Sequence, residues 1–218
     1  MRENREEQMM ERSIIQYATR IDPRSIPDRR QEVQMATLSQ TLHKIRGPDN
    51  KRAVEAIEEL RARGWLEDGS MEGILLCHAR LEGADLFKAS LPKVDFHQAH
   101  LFRADFSGAD LTSAKFARAD LRSANFSGAI LDDADLLKAD LSGATNLTDA
   151  QLAKAKRLCY ATMPDGLPYD GRFRLQGDLD LAEWGKVDVE DPEAMAYFLG
   201  VSLETYLNGQ KLLEKAKG

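Results

Sequence analysis

From Leu76 to Leu141 a large apolar residue stands at every fifth position, and two places before each stands a smaller one, usually alanine. An α-helix returns to one face every 3.6 residues and a strand every second, so a strict period of five fits neither. The spacing predicts a chain that turns a corner every five residues. The register is unbroken over fourteen large residues: Leu76, Leu81, Leu86, Leu91, Phe96, Leu101, Phe106, Leu111, Phe116, Leu121, Phe126, Leu131, Leu136 and Leu141. Ile74, Ala79, Ala84, Ala89 and Val94 begin the smaller series, which is alanine from Ala99 to Ala139. Large and small residues alternating in this way suit the inside of something narrow.

The quintets GADLF, RADFS, GADLT, ARADL, SANFS and KADLS resemble the bacterial pentapeptide-repeat family, and the likeness covers about residues 74–152. The resemblance implies a right-handed quadrilateral β-helix with four repeats per coil and with Leu or Phe filling the axis. Such repeats bury their apolar face only against neighbours. Folded at twenty residues per coil, the sequence gives one column of Leu81, Leu101, Leu121 and Leu141 and another of Leu91, Leu111 and Leu131. The remaining opposed pair holds Leu76, Phe96, Phe116 and Leu136 on one side and Leu86, Phe106 and Phe126 on the other. Axial aromatic rings are therefore expected to stack in layers. The expected fold is a mainly β solenoid with α extensions, about 3.5 coils and roughly 17 Å long at ~4.8 Å per coil, with helices capping it.

Four regions follow: a helical N-terminal region at 1–70, the β-helix at 71–147, a capping helix at 148–158, and a turn-rich and helical module at 159–218. In the first, helices are expected at 2–18, with Met9, Met10, Ile14 and Tyr17 in its apolar stripe, at 28–45, and at 49–63. Asp49 suits the start of the third, Ala53, Ile57 and Leu60 share one of its faces, and Trp65 is the expected docking residue. One extra residue between Ala144 and Leu147 breaks the register, so the coil is expected to stop there, with Thr148 or Asp149 starting a helix. Further on, Pro164-Asp165-Gly166 and Asp170-Gly171 read as tight turns, and Asp191-Pro192 and Ser202 as helix starts. Trp184, Tyr197, Phe198 and Tyr206 are expected to form the core of this last module.

Apolar and charged residues make up 43% and 30% of the chain, as in globular proteins, and no apolar run approaches the roughly eighteen residues of a membrane span. The charged N-terminus does not read as a secretory signal, so a cytoplasmic location is expected, and Cys77 and Cys159 suggest no disulfide framework. Basic and acidic residues number 13 and 11 over 1–66, 8 and 13 over 67–146, and 9 and 12 over 147–218. The acidity lies mostly in the repeats. Some pentapeptide-repeat proteins mimic DNA and regulate gyrase in quinolone resistance, which makes that an alternative function here. Against it, Asp85, Asp105, Asp110, Asp120, Asp135 and Asp140 all precede an axial residue. Asn125 and Ser90 at equivalent positions imply hydrogen bonding to backbone rather than a charge requirement. Outward Lys88, Lys93, Arg103, Arg118, Arg122 and Lys138 also interrupt any acidic face. Nucleic acid is not an expected partner.

Cys77 and His97 are one coil apart, with His78 and His100 near, which makes a surface metal site the second alternative. No phosphate loop, nucleophile elbow or paired catalytic carboxylate signature is present. No cofactor and no small-molecule substrate are expected. Phe87, Phe102, Ile130 and Leu137 fall at outward positions and form the candidate interaction surface. They would contact the chain's own helices, a protein partner or a second copy. The sequence thus reads as a non-enzymatic scaffold for protein–protein interaction.

Overall fold

The computed structural model describes residues 29–217; the helix expected at 2–18 lies outside them. Between Leu75 and Thr145, parallel bridges join residues twenty apart: Leu75 to Asp95, Arg80 to His100, Asp85 to Asp105, Ser90 to Asp110, and so on. Four columns of such rungs run up four sides of a tube. Each corner has the same construction. The amide of Ala79 donates to Leu76 O (3.2 Å), that of Ala119 to Phe116 O (2.9 Å), and the residue just before each such alanine is left-handed. This is a type II turn, which requires positive φ at its third residue. Gly83, Gly108, Gly128 and Gly143 take that position, but so do His78, Lys88, Arg103, Arg118, Ser123 and Lys138.

All fourteen axial residues are buried to within 1% exposure. Phe96 and Phe116 stack at 5.2 Å and Phe106 and Phe126 at 5.4 Å, while Phe106 meets Phe116 edge-on at 5.8 Å. Aromatic pairs favour both arrangements. The register reaches further back than the motif does, because Leu66 and Met71 continue the five-residue spacing and are fully buried.

The ladder does not stop at Leu147, where the sequence placed its end. Asp135 bridges Arg157 and Asp140 bridges Thr162, both twenty-two apart, and Leu158 and Met163 are buried like the axial residues one coil before them. The two extra residues are absorbed by a single helical turn, Asp149–Leu152, with a capping box between Thr148 and Gln151. The helix expected over 148–158 is thus only this turn. Gln151 Nε2 donates to Phe126 O (3.0 Å) and Ala129 O (2.8 Å), standing in for backbone that has swung away.

Before the solenoid, helix α1 (Arg29–Ile45) packs on α2 (Asn50–Ala62), burying Leu38, Leu42 and Ile45 against Ala53, Ala56, Ile57 and Leu60. Asp49 caps α2, accepting from Lys51 N at 3.0 Å. Trp65 is only partly buried, under the Arg63 guanidinium, and Leu66 is the residue that docks fully. Calling the single turn α3, the C-terminal module holds α4 (Gln176–Trp184), α5 (Pro192–Leu199) and α6 (Leu203–Lys217). The Pro-Asp-Gly turn returns the chain so that Thr162 pairs antiparallel with Pro168. Asp191 caps α5, left-handed Gly200 ends it, and Ser202 Oγ accepts from Thr205 N (3.1 Å) at the start of α6. Helix α4 was hidden in a turn-rich stretch because Leu175 precedes it with no side-chain cap to announce it.

Candidate interaction surface

The carboxylates of the repeats serve the corners. The Asp85, Asp95, Asp105, Asp110, Asp120, Asp135 and Asp140 side chains each accept from the amide two residues on, between 2.9 and 3.2 Å, and Asn125 does the same for Ser127. Short side chains that close such local rings specify turns. Several are also ion-paired: Asp85 with Arg61 (3.1 Å), Asp95 with Lys115 (3.6 Å), Asp120 with Arg122 (2.7 Å), and Asp135 with Arg157. Hydrogen bonding from Arg122 holds the Asp120 carboxyl below the usual range.

Both ends of the ladder are met by side chains. At the first coil, Arg46 Nε donates to Leu75 O (2.7 Å), and the Asn50 amide both donates to Glu82 O (3.2 Å) and accepts from Glu82 N (2.8 Å). Arg61 donates to Asp85 O (3.0 Å) and Phe87 O (3.1 Å). At the last coil, buried Asp178 of α4 accepts from Leu158 N and Cys159 N, both at 2.9 Å. Burial pushes the Asp178 carboxyl up from the ordinary aspartate range, against the lowering effect of the Cys159 thiol and the two amides. Gly177 permits this approach, since a Cβ there would lie 2.6 Å from Lys156 O. Asn50, Arg61, Gln151 and Asp178 escaped the sequence reading because nothing local marks a side chain that substitutes for a distant peptide group.

The four outward apolar residues divide. Phe87 (43% exposed) and Ile130 (47%) face solvent, while Phe102 and Leu137 are partly buried. The guanidinium groups of Arg103 (4.8 Å) and Arg122 (5.6 Å) both lie over the Phe102 ring, and Leu137 packs on the core. In the C-terminal module Tyr206 is buried and Phe198 partly so, but Trp184 is 84% and Tyr197 89% exposed, contrary to the expectation that they form its core. Trp184 ends a short helix, and Tyr197 lies opposite the α5 face that buries Met195, Ala196 and Leu199.

The metal candidates do not converge. The His78 and His97 rings meet edge-on at 6.2 Å, but burial, followed by the Asp95 charge and hydrogen bond, pushes the Cys77 thiol up to about 11. A protonated thiol is a poor ligand and nucleophile. Among the described residues no three His, Cys, Asp or Glu side chains are grouped to hold an ion. A shallow depression of about 450 Å³ lies between α1 and α2, lined by Lys44, Arg52, Glu55, Ala56 and Glu59. Its Lys44 and Glu59 pair at 2.8 Å.

The model for pentapeptide repeats matches residues 79–116, 109–145 and 119–156, with eight copies. Residues 79–156 are pentapeptide repeats. The fold of that family is the right-handed quadrilateral β-helix, to which the four-column ladder corresponds. A pentapeptide-repeat protein of the Arabidopsis thaliana thylakoid lumen is 35% identical over 36% of this chain and 55% of its own, with a TM-score of 0.35. HetL of Nostoc sp. strain PCC 7120, a pentapeptide-repeat protein involved in heterocyst differentiation regulation, is 41% identical over 44% of this chain and 41% of its own, with a TM-score of 0.27. QnrB1, a plasmid-mediated fluoroquinolone resistance protein, is 15% identical over 52% of this chain and 87% of its own, with a TM-score of 0.22. The chain thus spans about half the length of the first two. No curated protein sequence matches it significantly. Among the described residues no helix is long and apolar enough to cross a membrane.

Proposed function

We propose that this protein is a non-enzymatic recognition scaffold, in which a pentapeptide-repeat solenoid capped by its terminal helices presents a C-terminal module to a protein partner. The observation that carries the reading is the exposure of Trp184 (84%) and Tyr197 (89%). Aromatic side chains are enriched where proteins bind one another, and leaving two of them in water is unfavourable unless something covers them. The repeats themselves offer little chemistry, because their carboxylates are bound to corner amides and neighbouring cations and the thiol of Cys77 is held protonated. The same engagement weighs against a gyrase regulator that mimics DNA, which needs a continuous free acidic face. A cytoplasmic location fits the two free cysteines, Cys77 and Cys159.

Site-specific photo-crosslinking in the source cells tests this reading. A photoreactive phenylalanine analogue at position 197 is expected to give a discrete protein adduct that Trp184→Ala weakens, while the same group at position 207 gives less. Absence of any adduct at 197, with the protein folded and expressed, contradicts the reading.

A further inference from the structure

One corner of the solenoid differs from the other three. Its left-handed positions are His78, Gln98, Arg118, Lys138 and, after the two-residue insertion, Tyr160, with φ of 59°, 55°, 60°, 58° and 59°. Side chains at one corner position project in a row, about 4.8 Å apart, the spacing of neighbouring strands. Beside Arg118 and Lys138 stand Ala117 and Leu137, both partly buried. Neither of these two rows contains a carboxylate, in a chain of net charge −6.

Arg118 and Lys138 are exposed and, among the described residues, form no ion pair. The acids of the two adjoining columns are already engaged: Asp95 pairs with Lys115, Asp135 with Arg157, and Asp120 and Asp140 both with Arg122. Among the described residues, each other corner offers at most one cation free of ion pairing, Lys88 or Arg103, because Lys93 pairs with Glu72, Arg122 with Asp120, and Lys154 with Asp132. The row ends in aromatic surface. Lys138 Nζ lies 5.0 Å from the centre of the Tyr160 ring, and that ring, 41% exposed, meets Phe198 of α5 at 5.8 Å.

Resting on the scaffold reading above, we propose that this corner, from Arg118 to the Tyr160–Phe198 contact, docks an extended acidic protein segment that also carries apolar side chains. Two uncompensated cations call for carboxylates, and Leu137, Tyr160 and Phe198 alongside call for apolar groups between them. Nucleic acid fits less well. Its affinity comes from neutralising many phosphates, whereas this surface has two free cations between columns that contain Asp95, Asp135, Asp120 and Asp140.

The test uses the full chain and fluorescence anisotropy. The probe is a labelled decapeptide of alternating Asp and Leu; a Lys-Leu decapeptide and a single-stranded oligonucleotide of similar length serve as comparisons. The Asp-Leu peptide is expected to bind, more weakly as salt is raised, and to lose at least ten-fold in affinity in the double variant Arg118→Glu, Lys138→Glu. Arg103→Glu, on the next corner, is expected to bind as the parent does, and circular dichroism checks that each variant is folded. No binding by the parent, equal binding by the double variant, equal binding of the Lys-Leu peptide, or preferential binding of the oligonucleotide each overturns the proposal. If the peptide fails while the crosslink at position 197 persists, this surface alone is wrong. If both fail, so is the scaffold reading.

Discussion

Phe116 sits in the middle of the axial stack, between rings on two sides, whereas Phe87 is nearly half exposed. Phe116→Ala is expected to lower unfolding stability by about 3–5 kcal/mol, and Phe87→Ala by about 0.5 kcal/mol or less, as denaturant titration would measure. The corner position predicts a second difference. Gly128 has φ of +65° with open space around it, so a substitution there tests backbone strain with no steric clash. Gly128→Val is expected to cost about 1–2 kcal/mol by the same measurement. At this scale the axial residues were legible because size and apolarity alone decide who fills a narrow tube. The left-handed corner was not, since Lys, Arg, His and Ser occupy it beside Gly and leave no uniform letter.

At the scale of elements, the ends of the ladder are closed by side chains that imitate a further rung. Arg61 and Asn50 carry this role at the first coil, so Asn50→Ala is expected to cost about 1–3 kcal/mol by leaving the partly buried peptide groups of Glu82 unsatisfied. Asp178 carries it at the last coil, with a pH signature. Its carboxyl is raised in the folded state, so the folded protein holds this proton more tightly than the unfolded chain does. The contribution therefore favours folding at acid pH and is lost as pH rises through the folded value. Asp178→Asn removes it, and the parent's stability advantage over this variant is expected to be larger near pH 4 than near pH 7. The helices α1, α2 and α5 were readable from their periodicity and caps, with Asp49 and Asp191-Pro192 as clear starts. The end of the coil was misplaced because a register break looks the same in sequence whether the chain stops or bulges and resumes. Only the distant pairing of Asp135 with Arg157 distinguishes the two.

For the whole molecule, closed ends decide how the rod is used. An open end would invite a second copy or another strand to stack on it, as unpaired edges do. Both ends are occupied by Arg46, Asn50, Arg61 and Asp178, so the proposed partner is assigned to the sides of the rod and to the terminal modules. The candidate surface was half legible. Phe87 and Ile130 followed from repeat position, but the exposure of Trp184 and Tyr197 did not, because composition suggested a core and helix orientation put them outside. Amide hydrogen exchange on the intact protein tests the closed-rod account most directly. If both ends are closed, the amides of Glu82, Leu158 and Cys159, which have side-chain acceptors, are protected as well as mid-ladder amides such as Phe106 and Asp120. Rapid exchange at those three positions, with the middle protected, would mean that the ends are open and would contradict it.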